Sequence, residues 1–148
     1  MNNFDYNRLY LTSDGRIGRQ DFWMGVLGFV VVDIVIIILI SLLFGMVSSA
    51  GRIVLFIVQL ALAYPAYNLM AKRFQDRGKP AMYAMIIIGV NLVVQLLGLL
   101  GLTGDPMAPN FLATIFGLIS LGLGIWVLVE LGILRGTVGP NQYGPDPV

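Results

Sequence analysis

Four transmembrane α-helices packed as an antiparallel bundle, with both termini in the cytoplasm, are what this sequence predicts, on three observations. Of 148 residues 57% are hydrophobic and 11% charged, whereas roughly a quarter of a soluble domain is charged. The apolar residues stand in four long blocks rather than at amphipathic spacing, the pattern of a chain whose solvent is lipid. Lysine and arginine gather on one side of those blocks, eight against one.

The blocks cover 22–47, 53–70, 81–102 and 111–134. At about 1.5 Å of rise per residue each can cross ~30 Å of hydrocarbon, the second with little to spare. Segments 1–21, 71–80 and 135–148 are then cytoplasmic, and the whole of 1–148 is a single integral membrane domain. The connections are short, so helices adjacent in sequence are antiparallel neighbours in space. Ser48-Ser49-Ala50 after the first block loosely resembles a signal cleavage site. That block is about twice as long as the apolar core of a signal peptide, so it reads as a retained helix.

Orientation comes from the short-loop cations. Arg8, Arg16 and Arg19 precede the first helix, Lys72, Arg73, Arg77 and Lys79 lie between the second and third, and Arg135 follows the fourth; Arg52 alone lies on the other side. Phe22, Trp23, Tyr64, Tyr67, Tyr83 and Trp126 fall near the same helix ends, where amphipathic rings settle at headgroup level.

Two packing signals stand out. Ala113, Gly117, Ser120 and Gly124 form a stripe of small residues, and Gly132 and Gly136 add a second pair; close packing within the bundle is the simpler reading, a homo-oligomer face the other. Pro65 removes an amide donor from the second helix and crowds the Ala61 carbonyl, which predicts a kink.

Chemistry has few candidates. Without cysteine or histidine the chain lacks thiol catalysis, the usual general base and the commonest metal ligand. Asp33 is the acid deepest in an apolar block, and such residues are costly enough to count as functional candidates. Helical rise sets Asp33, Asn91 and Ser120 near the midplane, with Gln59 and Gln95 in a layer nearer the outside. Interhelical hydrogen bonding explains this set more simply than an ion or proton path. Glu130, near the cytoplasmic end, is within reach of Arg135 or of Lys72 and Arg73. The basic stretch 72–79 anchors the topology and offers its cations to anionic lipid. Nothing calls for a cofactor, a metal or nucleic acid, and Gly15 and Gly18 are too closely spaced for a phosphate loop.

Three segments taken together carry a resemblance. They are Gly15-Arg16-Ile17-Gly18-Arg19-Gln20-Asp21-Phe22-Trp23, the run from Tyr64-Pro65 through Lys72-Arg73-Phe74-Gln75-Asp76-Arg77-Gly78-Lys79, and Gly139-Pro140-Asn141-Gln142-Tyr143-Gly144-Pro145-Asp146-Pro147. In this order, on these helices, they resemble the bacterial inner-membrane family of domain of unknown function 805 (DUF805). Where that family commonly has two arginines, a leucine and a histidine, this chain has Lys72-Arg73-Phe74-Gln75, and Pro80-Ala81-Met82 replaces a common Ser-Gly-Trp run. Gln75 cannot repeat any proton chemistry of such a histidine. The resemblance implies a bacterial cytoplasmic membrane and no known reaction.

The topology brings the three segments to one surface, so the sequence predicts a cytoplasmic cap built from Arg16, Arg19, Asp21, Arg73, Asp76, Asn141, Tyr143 and Asp146. Charge-assisted bonds between its arginines and acids are the expected fastenings. The functional expectation is a non-enzymatic scaffold that binds a protein partner through this face. A small transporter or channel subunit using Asp33 is the alternative.

Overall fold

The computed structural model describes residues 5–45, 48–105 and 108–147. Its elements are α1 (Tyr6–Tyr10), α2 (Arg19–Phe44), α3 (Ser49–Asp76), α4 (Met82–Leu99), β1 (Gly104–Asp105), β2 (Ala108–Pro109) and α5 (Phe111–Val127), which continues as a π-helix over Leu128–Ile133. Four of these helices are long and apolar enough to cross a membrane. The two short strands pair antiparallel beyond α4, Gly104 with Pro109 and Asp105 with Ala108. Helix α3 is central, packed against α2 on one side and α4 on the other, while α5 meets α2 and α3 through its π-helical end.

The helix limits differ from expectation at informative places. Helix α3 runs from Ser49 to Asp76, beyond the expected 53–70 at both ends. Its start is fixed by the Ser48 hydroxyl, which accepts the Gly51 amide at 2.9 Å, an N-cap. Its end is extended because residues 72–76, which read as loop by their charge, have side chains committed to neighbouring backbone. The helix stops in a Schellman motif: Gly78, at φ +72°, donates to Gln75, and the Lys79 amide donates to the Phe74 carbonyl at 2.9 Å, a geometry that favours glycine. The helix also continues through Pro65. Helix α1, N-capped by Asp5, lies in segment 1–21, to which the sequence assigns no helix. Residues 46–47 of the first expected span fall outside the described residues.

The buried core sits at one end of the bundle, where Leu9, Ile17, Phe22, Leu69, Phe74 and Leu131 converge. Phe74, Tyr83 and Trp126 stack there with ring centroids 5.5–5.7 Å apart. Most side chains of the spanning segments face outward, as a lipid solvent requires. Within the bundle, α2 approaches α3 where a Cβ on Gly25 would lie 2.6 Å from Leu69. The stripe on α5 shares in such packing only in part: the Ser120 hydroxyl is buried, but a Cβ on Gly117 or Gly124 would meet no atom within 4 Å. The expected close packing is therefore corrected for Gly117 and Gly124, since α5 touches α4 but meets α2 and α3 through its last turns. Gly132 and Gly136, in contrast, are closely packed.

Candidate functional site: a polar cap at one end of the bundle

Three helices, α1, α3 and α5, end at the same surface. A helix C-terminus leaves its last carbonyls without amide partners and carries a partial negative charge. The cap is built from side chains that answer both needs.

At the end of α1, one face of α3 supplies the donors. Lys72 donates to the carbonyls of Arg8 and, at 2.9 Å, Leu9; Asn68 donates to Tyr10 at 2.7 Å and the Tyr64 hydroxyl to Leu11 at 3.0 Å. Residues 64, 68 and 72 are four apart and so share a helix face. Four consecutive carbonyls are thereby taken. Tyr10 in turn donates its hydroxyl to the Gly25 carbonyl of α2 at 2.7 Å, and burial, with Tyr6 beside it, raises its phenol above the ordinary value.

The end of α5 repeats the arrangement. Its π-turn has the Leu134 amide donating to Val129 and leaves the carbonyls of 131–134 open. Arg73 donates to Leu131 and Leu134, both at 2.7 Å, Trp23 to Gly132 at 3.1 Å, and Arg19 to Ile133 at 3.2 Å. The Trp23 ring lies so close that a Cβ on Gly132 would stand 2.6 Å from it.

The end of α3 is taken by the C-terminal tail. Thr137 donates its amide and hydroxyl to the Asp76 carbonyl at 2.9 and 3.0 Å, and Asn141 donates to the Gln75 carbonyl at 2.9 Å. Asn141 also accepts the Tyr143 amide, closing the turn that pairs Asn141 with Gly144. Arg16 locks the tail from the other side, donating to the carbonyls of Thr137 at 2.6 Å, Gly139 at 2.7 Å and Gly144 at 3.2 Å.

Asp76 is the hub. Its carboxylate accepts from Arg16 at 3.0 Å and from Arg73, and all three residues are at most 3% exposed. Asp146 approaches Arg16 at 3.9 Å and accepts the Gly139 amide at 2.7 Å. Two arginines thus share the Asp76 carboxylate out of water, with the half-buried Asp146 beside Arg16, an arrangement stable only while each buried charge keeps its partners. A Cβ on Gly136 would overlap the Asp76 carboxylate.

The structure therefore gathers Arg16, Arg73, Asp76, Asn141, Tyr143 and Asp146 into one cluster, with Arg19 at its rim. Asp21 forms no ion pair among the described residues and sits in the first turn of α2, where the helix dipole favours an acid. Glu130 pairs with Arg77 at 3.0 Å and Lys79 at 2.8 Å, a correction to the expected Arg135, Lys72 or Arg73, because the latter two are turned inward. The cations of the basic stretch are consequently held by protein acceptors before any lipid. Sequence reasoning missed Asn68, Thr137 and the Trp23 donor; the α3 spacing of Tyr64, Asn68 and Lys72 is the signal that identifies the first.

The expected intramembrane cluster does not assemble. Asp33 accepts from Gln59 at 2.7 Å, not from Asn91 or Ser120. Both residues lie eleven positions in from matching ends, Phe22 and Met70, so they share a depth and the assignment of Gln59 to an outer layer is corrected. Asn91 donates to the Ile87 carbonyl of its own helix at 2.9 Å. The Ser120 hydroxyl is buried without a partner among the described residues. Gln95 faces a cleft at the far end, together with Arg52 and Thr103.

Residues 10–145 match the family of proteins of unknown function DUF805. The uncharacterised protein YiiR of Escherichia coli K12 is 30% identical over 138 residues, covering 89% of this chain and 83% of the relative. YiiR of E. coli O157:H7 matches to the same extent. No solved structure matches the chain.

Proposed function

This chain belongs to the DUF805 family of proteins of unknown function, and from that premise we propose that it is a non-enzymatic scaffold of a bacterial cytoplasmic membrane, binding a protein partner through its cap. The observation that carries the reading is the fixed geometry of the cap: the Arg16–Asp76–Arg73 cluster ties the approach to α2, the end of α3 and the tail into one surface. A surface so fastened presents Gln142, Arg135 and the exposed edge of the tail in a constant arrangement, which lowers the ordering cost of recognition.

The cytoplasmic side follows from the positive-inside rule. Part of the cation bias has a structural cause, since Arg16, Lys72 and Arg73 are buried on carbonyls and carboxylate. Setting these three aside, five cations still stand against Arg52. Single cysteines at Gln142 and Ser49 test the orientation: the first is shielded from an impermeant thiol reagent in intact cells and the second labels. Labelling of Gln142→Cys from outside reverses it.

A photo-crosslinking amino acid at Arg135 or Gln142 is expected to yield a discrete protein adduct in native membranes, whereas one at Phe111 yields none. Equal adducts at both ends, or none at the cap, defeat the scaffold reading. The transporter alternative rests on the Asp33–Gln59 pair within the apolar spans. It requires that reconstituted vesicles pass protons or cations and that Asp33→Asn abolish the flux.

A further inference from the structure

At the end opposite the cap, α3, α4 and the start of α5 enclose a cleft of about 390 Å³. Its walls are Leu55, Phe56 and Leu99, and its polar groups are Arg52, Gln95 and Thr103. Arg52 is the one cation that the sequence sets on this side, and neither it nor Gln95 makes an ion pair or side-chain hydrogen bond among the described residues. In the cap, by contrast, buried cations are fully engaged. An arginine left open beside an amide and a hydroxyl is a donor set for a phosphate.

The apolar remainder of the cleft decides what bears that phosphate. Arg52 stands in the first turn of α3, one residue before the apolar stretch, which is headgroup level. Leu55 and Phe56 follow on the hydrocarbon side, so the cleft runs from interface into bilayer. A lipid reaches such a site by lateral diffusion, with its phosphate at Arg52 and its first acyl carbons along Phe56 and Leu99. The volume is that of a small-molecule site; a helix about 10 Å across, rising about 5.4 Å per turn, would find room for less than one full turn. We propose that this cleft is a binding site for one anionic phospholipid, separate from the cap.

The test uses the full-length protein in detergent micelles doped equally with phosphatidylglycerol and phosphatidylcholine of matched chains, read by native mass spectrometry. One phosphatidylglycerol is expected to remain on each wild-type chain, in at least tenfold preference over phosphatidylcholine. Arg52→Gln should lose that retention tenfold or more, and Ala113→Phe, which fills the cleft without touching its charge, should lose it as well. Arg135→Gln, a cation at the other end, should keep it. Equal retention by wild type and Arg52→Gln overturns the proposal, as does retention by Ala113→Phe or indifference to headgroup charge. Displacement of the lipid by millimolar glycerol phosphate makes this a soluble-anion site, and a dimer that excludes lipid assigns the cleft to a second copy; either result overturns it too.

Discussion

At the capped end, four consecutive carbonyls at the end of α1 and four at the end of α5 each receive a side-chain donor from another segment. Within the spans, the polar groups behave differently: Asp33 and Gln59 form one pair, Asn91 turns back on its own helix, and the Ser120 hydroxyl is left alone. The two regions show where this fold is specified. Lipid-facing helices gain little from burying apolar surface against each other, since lipid tails are equally apolar. Directional bonds at the helix ends then decide which helix meets which.

The contrast yields an ordered series of expected destabilisations, measured by thermal or denaturant unfolding in micelles. Asp76→Ala is the largest, about 3–5 kcal/mol, because it leaves Arg16 and Arg73 buried without their shared carboxylate. Gly136→Ala comes next at about 1–3 kcal/mol, since the new methyl must displace that carboxylate. Asn68→Leu, which orphans the Tyr10 carbonyl, costs about 1–3 kcal/mol if that carbonyl stays dry. Within the spans the effects shrink. Asp33→Asn retains an acceptor for Gln59 and changes stability by less than about 1 kcal/mol, and Ser120→Ala, which removes an unpartnered hydroxyl, is neutral or slightly stabilising. A loss at Asp33 equal to that at Asp76 would erase the distinction between the regions.

What was legible in the sequence follows from the same physics. Four spans could be read because hydrocarbon admits only backbone that satisfies itself, so helices must be long and apolar. The end of α3 could not, because Lys72, Arg73 and Asp76 carry the composition of a loop and are helical only through bonds to segments distant in sequence. The π-turn at 128–133 left no pattern in an apolar run. Arg16, Arg73, Asp76 and Asp146 could be singled out as polar residues in three segments converging on one face. Their principal partners could not, since most are backbone carbonyls, which every residue possesses. The pairing of Asp33 with Gln59 was available from depth alone, when both are counted from equivalent helix ends.

Amide hydrogen exchange in lipid nanodiscs tests the central claim, that directional bonds at the helix ends fasten three distant segments into one cap. The amides of Thr137, Gly139, Asn141 and Gly144 all donate within the cap, so the wild-type tail should be protected well above the level of a free peptide. In Asp76→Ala, protection should fall together across 137–144 and 8–17 while the spans of α2 and α4 keep theirs. A wild-type tail that exchanges at free-peptide rates, or a variant in which only the tail loosens, would contradict the account.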